Sequence, residues 1–139
     1  MSVHSNVNAQ NVVYSEKDKP SAAEVILLFR GAGLNGPLDE PERIAQMLAA
    51  AQQTITARVD GRLVGLIRVL TDFSFNAFVA DLAVSPHFQQ KGVGSELLAR
   101  ATASHDGVKY ILQTHDSGDF YVKRGFVPAE HCYVRMRKR

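Results

Sequence analysis

Apolar and polar positions recur along this chain with periods that switch between two and about 3.6, and the switches divide it into strands and helices. Val12-Val13-Tyr14 reads as a short first strand. Ser21-x-x-Glu24 is a capping box, its serine and glutamate each taking one orphan backbone donor, ahead of Val25, Ile26, Leu28 and Phe29 at helical spacing. Gly31-Ala32-Gly33 ends that helix. Asp39-x-x-Glu42 repeats the capping pattern before Ile44, Met47 and Leu48. Two strands, Gln53 to Val59 and Arg62 to Leu70, then flank Asp60-Gly61, a pair suited to a two-residue hairpin. The apolar run Phe78 to Val84 stops at Ser85-Pro86, because proline cannot continue a ladder. Val93, Leu97, Leu98 and Ala101 share one helical face, and Gly107 closes that helix. Val108 to Leu112 is a further strand, and Phe120 to Phe126 is a short helix broken by Gly125. Last, Cys132, Val134 and Met136 alternate with Tyr133, Arg135 and Arg137, a half-buried strand with a basic outer face. These elements make a mixed α/β sheet, with no internal repeat.

The segment from Asp81 to Leu98 carries the most chemistry. A buried strand feeds Gln89-Gln90-Lys91-Gly92-Val93-Gly94, which opens a helix. The first turn of a helix leaves N–H groups unpaired, and the peptide dipoles make that end partly positive. Glycines at 92 and 94 take side chains out of the way and Lys91 adds a full charge, so a phosphate can approach the amides. Each such interaction is worth about 0.3–1 kcal/mol, enough in sum to hold a pyrophosphate. Taken alone, Gly-x-Gly after a strand is also an ordinary tight turn. Spacing excludes a nucleotide P-loop and a dinucleotide fingerprint, since neither Gly-Lys-Ser/Thr nor a third glycine is present.

Two motifs in this order give the chain a family resemblance. Gln89, Gly92 and Gly94 match a Gln/Arg-x-x-Gly-x-Gly/Ala loop, and Tyr121, Gly125 and Phe126 match a Tyr-x-x-x-Gly-Phe segment. With both, the chain resembles the GNAT superfamily of N-acetyltransferases over nearly all its length, from Val12 to Arg137. The resemblance implies a single α/β domain with a mixed, mostly antiparallel sheet flanked by helices. It implies acetyl-CoA as donor and cosubstrate, held by Gln89, Gln90, Lys91, Gly92, Val93, Gly94 and Ser95, with the pantetheine arm along Leu82, Ala83 and Val84. It also places a catalytic phenol at Tyr121.

Composition agrees with one enzyme domain. At 139 residues and 45% hydrophobic, the chain can bury a core of its own. We expect a polar, frayed tail over residues 1–10 and one domain over residues 11–139. The lone Cys132 cannot form an internal disulfide and no charged-then-apolar leader is seen, which points to the cytoplasm. No apolar run approaches the ~20 residues of a membrane span. Net charge is +2, much of it at Arg135, Arg137, Lys138 and Arg139. That cluster is either a nucleic-acid patch or a solvated strand edge, and charged strand edges favour the second. His4, His87, His105, His115 and His131 show no ligand spacing, so no metal site is expected.

Transfer of an acetyl group from a thioester to an amine raises two proton problems. A lysine-like amine is only about 0.1% neutral at pH 7.4, roughly 4 kcal/mol of deprotonation. The departing thiolate in turn needs a proton, which a phenol can give. Tyr121 is the expected acid; a packed aromatic with its hydroxyl at the surface is the alternative. Asp81, a carboxylate within an apolar strand, is the candidate base. Simple alternation puts it on the face opposite Phe78 and Ala80, where family members often carry their base, unless a bulge reverses the face. Its alternative is a structural carboxylate bonded to loop amides or a hydroxyl. His115 and Asp116 are reserves, and Thr114-His115-Asp116 lacks the asparagine common there in the family. Asp72, Phe73, Phe75 and Phe78, with Leu34-Asn35-Gly36-Pro37, are candidates to wall an acceptor pocket for a cationic amine, or else plain core and turn. The expected partner is a small-molecule or protein amine, with a homodimer allowed and no nucleic acid or membrane. A non-catalytic acyl-CoA-binding or sensing module of the same fold is the alternative to the enzyme, and a nucleic-acid-binding protein a distant third.

Overall fold

A computed structural model describes residues 11–138; the expected N-terminal tail lies outside them. The elements are β1 (Val13–Ser15), α1 (Ala22–Ala32), α2 (Pro41–Ala50), β2 (Gln53–Val59), β3 (Arg62–Thr71), β4 (Asn76–Val84), α3 (Val93–Thr102), β5 (Lys109–Ile111) and α4 (Gly118–Val122). The sheet runs β1-β2-β3-β4-β5 in sequence order, antiparallel except for the parallel β4–β5 pair. That exception follows from connectivity, because α3 crosses over between β4 and β5 and returns the chain in the same direction. The mixed, mostly antiparallel α/β sheet expected from the sequence is therefore the fold.

Local chemistry explains the best-matched elements. Asp60 and Gly61 both take positive φ, the conformation a two-residue hairpin loop needs between β2 and β3. At α1 the capping box is complete, with Ser21 Oγ accepting from the Glu24 amide and Glu24 accepting from the Ser21 amide. Gly33 closes α1 in the left-handed conformation.

Three expectations are corrected. Asp39-x-x-Glu42 does not cap α2: the cap residue is Glu40 without a side-chain bond, and Pro41 starts the helix with its fixed φ. Gly107 does not end α3, which stops at Thr102; Thr102 Oγ1 bonds back to the Leu98 carbonyl and Ser104 turns left-handed. The alternating segment from Cys132 to Arg137 forms no strand. Tyr133, Val134 and Met136 stay exposed, because alternation yields a strand only where a neighbouring ladder and an apolar face receive it.

Two apolar clusters sandwich the sheet. One packs Val93, Leu97, Leu98 and Ala101 of α3 against Ile55, Ala57, Ile67, Val69, Ala77 and Val79. The other packs α1 and Ile44 of α2 against Leu63, Leu66 and Ala83. Gly65 lets α3 approach closely, since a Cβ there would lie 3.0 Å from Val93 Cγ1 and 3.1 Å from Leu97 Cδ1. The first residue of α3 is thereby set directly on the sheet.

Candidate active site

The parallel pairing of β4 with β5 is confined to Asn76–Phe78 against Lys109–Ile111. From Val79 to Val84 that side of β4 has no strand beside it among the described residues, so the sheet opens there. Leu82, Ala83 and Val84 lie along this unpaired stretch of β4. At the end of β4, Pro86–Phe88 makes one 3-10 turn, and the buried Phe88 ring anchors it in the core.

The loop then reverses through two left-handed residues, Gln90 (φ 61°) and Gly92 (φ 88°). Gly92 is the N-cap of α3 and offers no side-chain bond. Glu96 is the first residue whose amide bonds back into the helix, to the Gly92 carbonyl at 2.9 Å. The amides of Val93, Gly94 and Ser95 consequently lack partners among the described residues and point out of a positive helix end. Gln89 does a different job from the others, since its Nε2 donates to the Val84 carbonyl at 2.9 Å and braces the loop against the strand. Lys91 is exposed beside the turn.

A model of the acetyltransferase (GNAT) domain matches residues 50–128 of this sequence, a span holding both motifs and the open edge of β4. The chain belongs to the GNAT acetyltransferase family. No curated protein matches it. Solved structures agree on the fold. A protein of unknown function from meticillin-resistant Staphylococcus aureus, described as a probable acetyltransferase, superposes with TM-score 0.77 at 24% identity, covering 92% of this chain and 98% of that chain. A GNAT-family acetyltransferase from Streptococcus pneumoniae gives 0.73 at 23% identity, over 91% and 99% of the two chains. PaiA N-acetyltransferase from Thermoplasma acidophilum, solved in complex with coenzyme A, gives 0.68 at 17% identity over 84% and 89%.

In this GNAT protein the Tyr-x-x-x-Gly-Phe segment has a direct structural reason. Gly125 turns left-handed after α4, so the Phe126 amide reaches back to the Tyr121 carbonyl at 3.1 Å and the Gly125 amide to that of Val122 at 3.2 Å. The turn lays Phe126 against Tyr121, with ring centres 5.6 Å apart, while Phe120 meets the same ring edge-on at 5.0 Å. Burial pushes the Tyr121 phenol above its ordinary pKa, so it stays protonated through the neutral range. Its hydroxyl bonds to no described residue. Phe120 also reaches α3: its ring lies 3.5 Å from where a Gly94 Cβ would stand. Tyr121 and the amide cluster are thus tied through one aromatic ring.

Asp81 is not bonded to loop amides or a hydroxyl. Its Oδ2 accepts from Arg68 Nε at 2.6 Å, with both side chains close to nine-tenths buried. Oδ1 has no partner among the described residues. Of the acceptor candidates, Asp72 caps a turn, its Oδ1 taking the amides of Ser74, Phe75 and Asn76, which hold its carboxyl below the usual range. Phe73 packs on the His105 ring at 5.7 Å, and Phe75 is exposed. Phe78 pairs with Leu70 on β3 and with Ile111 on β5, an apolar row on the sheet face opposite α3. Asp116 accepts from the Ser117 hydroxyl, and His115 is exposed. Among the described residues no three His, Cys, Asp or Glu side chains gather as metal ligands, and no helix is long and apolar enough to cross a membrane.

Sequence reasoning missed two residues. Arg68 is the one charge inside the apolar run Leu63 to Leu70, and its partner Asp81 is the one charge inside the next; a lone opposite charge in each of two adjacent strands is the signal. Arg124 lies within the Tyr121 motif, and nothing in the sequence shows that it reaches Ser95.

Proposed function

We propose that this GNAT protein is a cytoplasmic, acetyl-CoA-dependent N-acetyltransferase that transfers the acetyl group directly to a primary amine of a small molecule or protein. The observation that carries this reading is the unpartnered amide cluster of Val93, Gly94 and Ser95 at the end of the open β4 edge. A diphosphate suits those amides and Lys91, and an extended pantetheine arm suits the strand edge at Leu82–Val84. The structure of PaiA N-acetyltransferase in complex with coenzyme A supports CoA as the ligand class.

In the reaction the amine nitrogen attacks the thioester carbonyl carbon and the C–S bond breaks. A backbone amide directed at the carbonyl oxygen stabilises the charge that develops there. Tyr121 gives its hydroxyl proton to the departing sulfur and regains one from water. Asp81 is our candidate to orient the incoming amine, with Oδ1 placed to accept a hydrogen bond from its N–H while Oδ2 stays on Arg68, and the proton that the nitrogen loses on acylation passes to water. Thiol release from acetyl-CoA, measured with a panel of amines, tests the proposal. Release that depends on one class of amine is expected. Stabilisation by acetyl-CoA without release for any amine would make the chain a CoA-binding module instead.

A further inference from the structure

Arg124 is fixed at three points. Its Nε donates to Ser95 Oγ at 3.0 Å, its Nη1 donates to the Phe120 carbonyl at 2.7 Å, and its guanidinium carbon lies 3.8 Å above the centre of the Phe120 ring. No carboxylate pairs with it among the described residues, whereas Arg30, Arg43, Arg58, Arg68 and Arg100 all have one. An exposed arginine with no ion-pair partner ordinarily samples many rotamers. This one is held over the first turn of α3, where Ser95 also offers an unpartnered amide. A guanidinium has five N–H donors in a flat fork, so donors remain beyond the two engaged here.

We propose that Arg124 determines donor specificity by binding the diphosphate of the CoA thioester together with the α3 amides, so that CoA is distinguished from phosphate-free pantetheine. The inference rests on the reading of the α3 start as the donor site. Geometry gives it a second consequence. Arg124 is one turn beyond Tyr121, and its amide bonds to the Tyr121 carbonyl at 2.9 Å. A diphosphate that engages Arg124 therefore fixes the segment presenting the phenol. Phosphate occupancy and acid placement become one event.

The test measures dissociation constants of CoA, 3′-dephospho-CoA and pantetheine for the wild type, Arg124→Ala, Arg124→Lys and Gly92→Asp, each first shown to be folded by its thermal transition. Arg124→Ala is expected to weaken CoA and 3′-dephospho-CoA equally, by roughly 10- to 100-fold, as for loss of charge-assisted hydrogen bonds. Pantetheine binding, followed by ligand-observed NMR, is expected to stay unchanged. Arg124→Lys should fall between, because it keeps the charge and loses the fork and the ring contact. Unchanged CoA affinity in Arg124→Ala, with affinity lost in Gly92→Asp, would overturn the role of Arg124 and leave the donor site standing. A penalty seen with CoA and absent with 3′-dephospho-CoA would overturn the diphosphate assignment in favour of the 3′-phosphate. An equal loss with pantetheine would reduce Arg124 to packing. A wild type that binds neither nucleotide would remove the donor-site reading itself.

Discussion

Asp81 faces Arg68 across the β3–β4 ladder because the register slips beside them: Val69 pairs with Val79, but Arg68 pairs with Asp81, leaving Ala80 without a partner. Before the slip, Ala77 and Val79 point toward α3; after it, Leu82 and Val84 take that side and Ala83 joins the α1 cluster. The bulge thus brings Asp81 onto the face of Phe78, reversing what uninterrupted alternation implies. Asp81→Asn leaves a mostly buried guanidinium without its counter-charge and is expected to destabilise the fold by about 3 kcal/mol. Turnover per folded molecule should fall less than tenfold with an unchanged pH profile, since the carboxylate orients the amine. Activity that recovers as pH rises would make Asp81 the base. Denaturant melts and pH–rate curves on one sample separate the two.

Gly92→Asp should abolish most donor affinity while leaving the fold intact. A Cβ at Gly92 meets nothing within 4 Å, so the penalty is the left-handed backbone, which aspartate tolerates at about 1 kcal/mol. The carboxylate would stand where a phosphate must bind. The shift of melting temperature with added acetyl-CoA, seen in the wild type, is expected to vanish; its persistence would remove the donor from this loop.

Much of this was readable from residues close together in sequence. The capping box at Ser21, the turn at Asp60-Gly61 and the loop at Gln89 to Gly94 each need only local geometry, and each is found as expected. What the sequence concealed depends on distant partners. The ion pair of Arg68 with Asp81 needs the hairpin register and its bulge. Arg124 reaches Ser95 only after α4 has packed on α3. The alternation of Cys132, Val134 and Met136 was strand-like, yet no ladder receives it.

Gly65→Ala probes how firmly the donor loop is seated. The new methyl would lie 3.0 Å from Val93 Cγ1 and 3.3 Å from Ala57 Cβ, which forces α3 outward. Overpacking of this kind costs about 1–3 kcal/mol. Because Val93 begins α3, CoA affinity should fall as well, although residue 65 is distant from the loop in sequence. Stability and CoA titration on the same variant check both effects.

Acid should remove the stability that the β2–α1 junction contributes. Arg58 binds Asp18 through Nε and Glu24 through Nη1, both at 2.6 Å. Hydrogen bonding to Arg58 holds Asp18 below its ordinary pKa and takes Glu24 down to about 2. Folded pKa values depressed in this way give stability that is present above the unfolded pKa near 4.5 and lost as pH falls toward 2. With the Glu24 side chain 36% exposed, its share is discounted to about 1 kcal/mol. Arg58→Met should flatten the decline of stability between about pH 5 and pH 2, and an unaltered acid limb would show that other carboxylates set it.

Tyr121→Phe tests the acid directly. The substitution keeps the ring and its contacts with Phe120 and Phe126 and removes only the hydroxyl, which bonds to no described residue, so stability should change little. Donor affinity should also hold, since the groups proposed to bind the diphosphate, the α3 amides, Lys91 and Arg124, are all left in place. Turnover should fall by about 10²–10⁴-fold, the usual contribution of a general acid, or roughly 3–5 kcal/mol in the barrier. Water reaching the sulfur would reduce the loss to about tenfold. The raised phenol pKa gives the sign of its pH effect: Tyr121 keeps its proton through neutral pH, and its loss of that proton adds an alkaline limb that the variant should lack. Turnover and acetyl-CoA dissociation constants for both proteins, measured with one active amine, decide the matter. Equal turnover would refute the acid role, and a parallel loss of donor binding would make Tyr121 a binding residue.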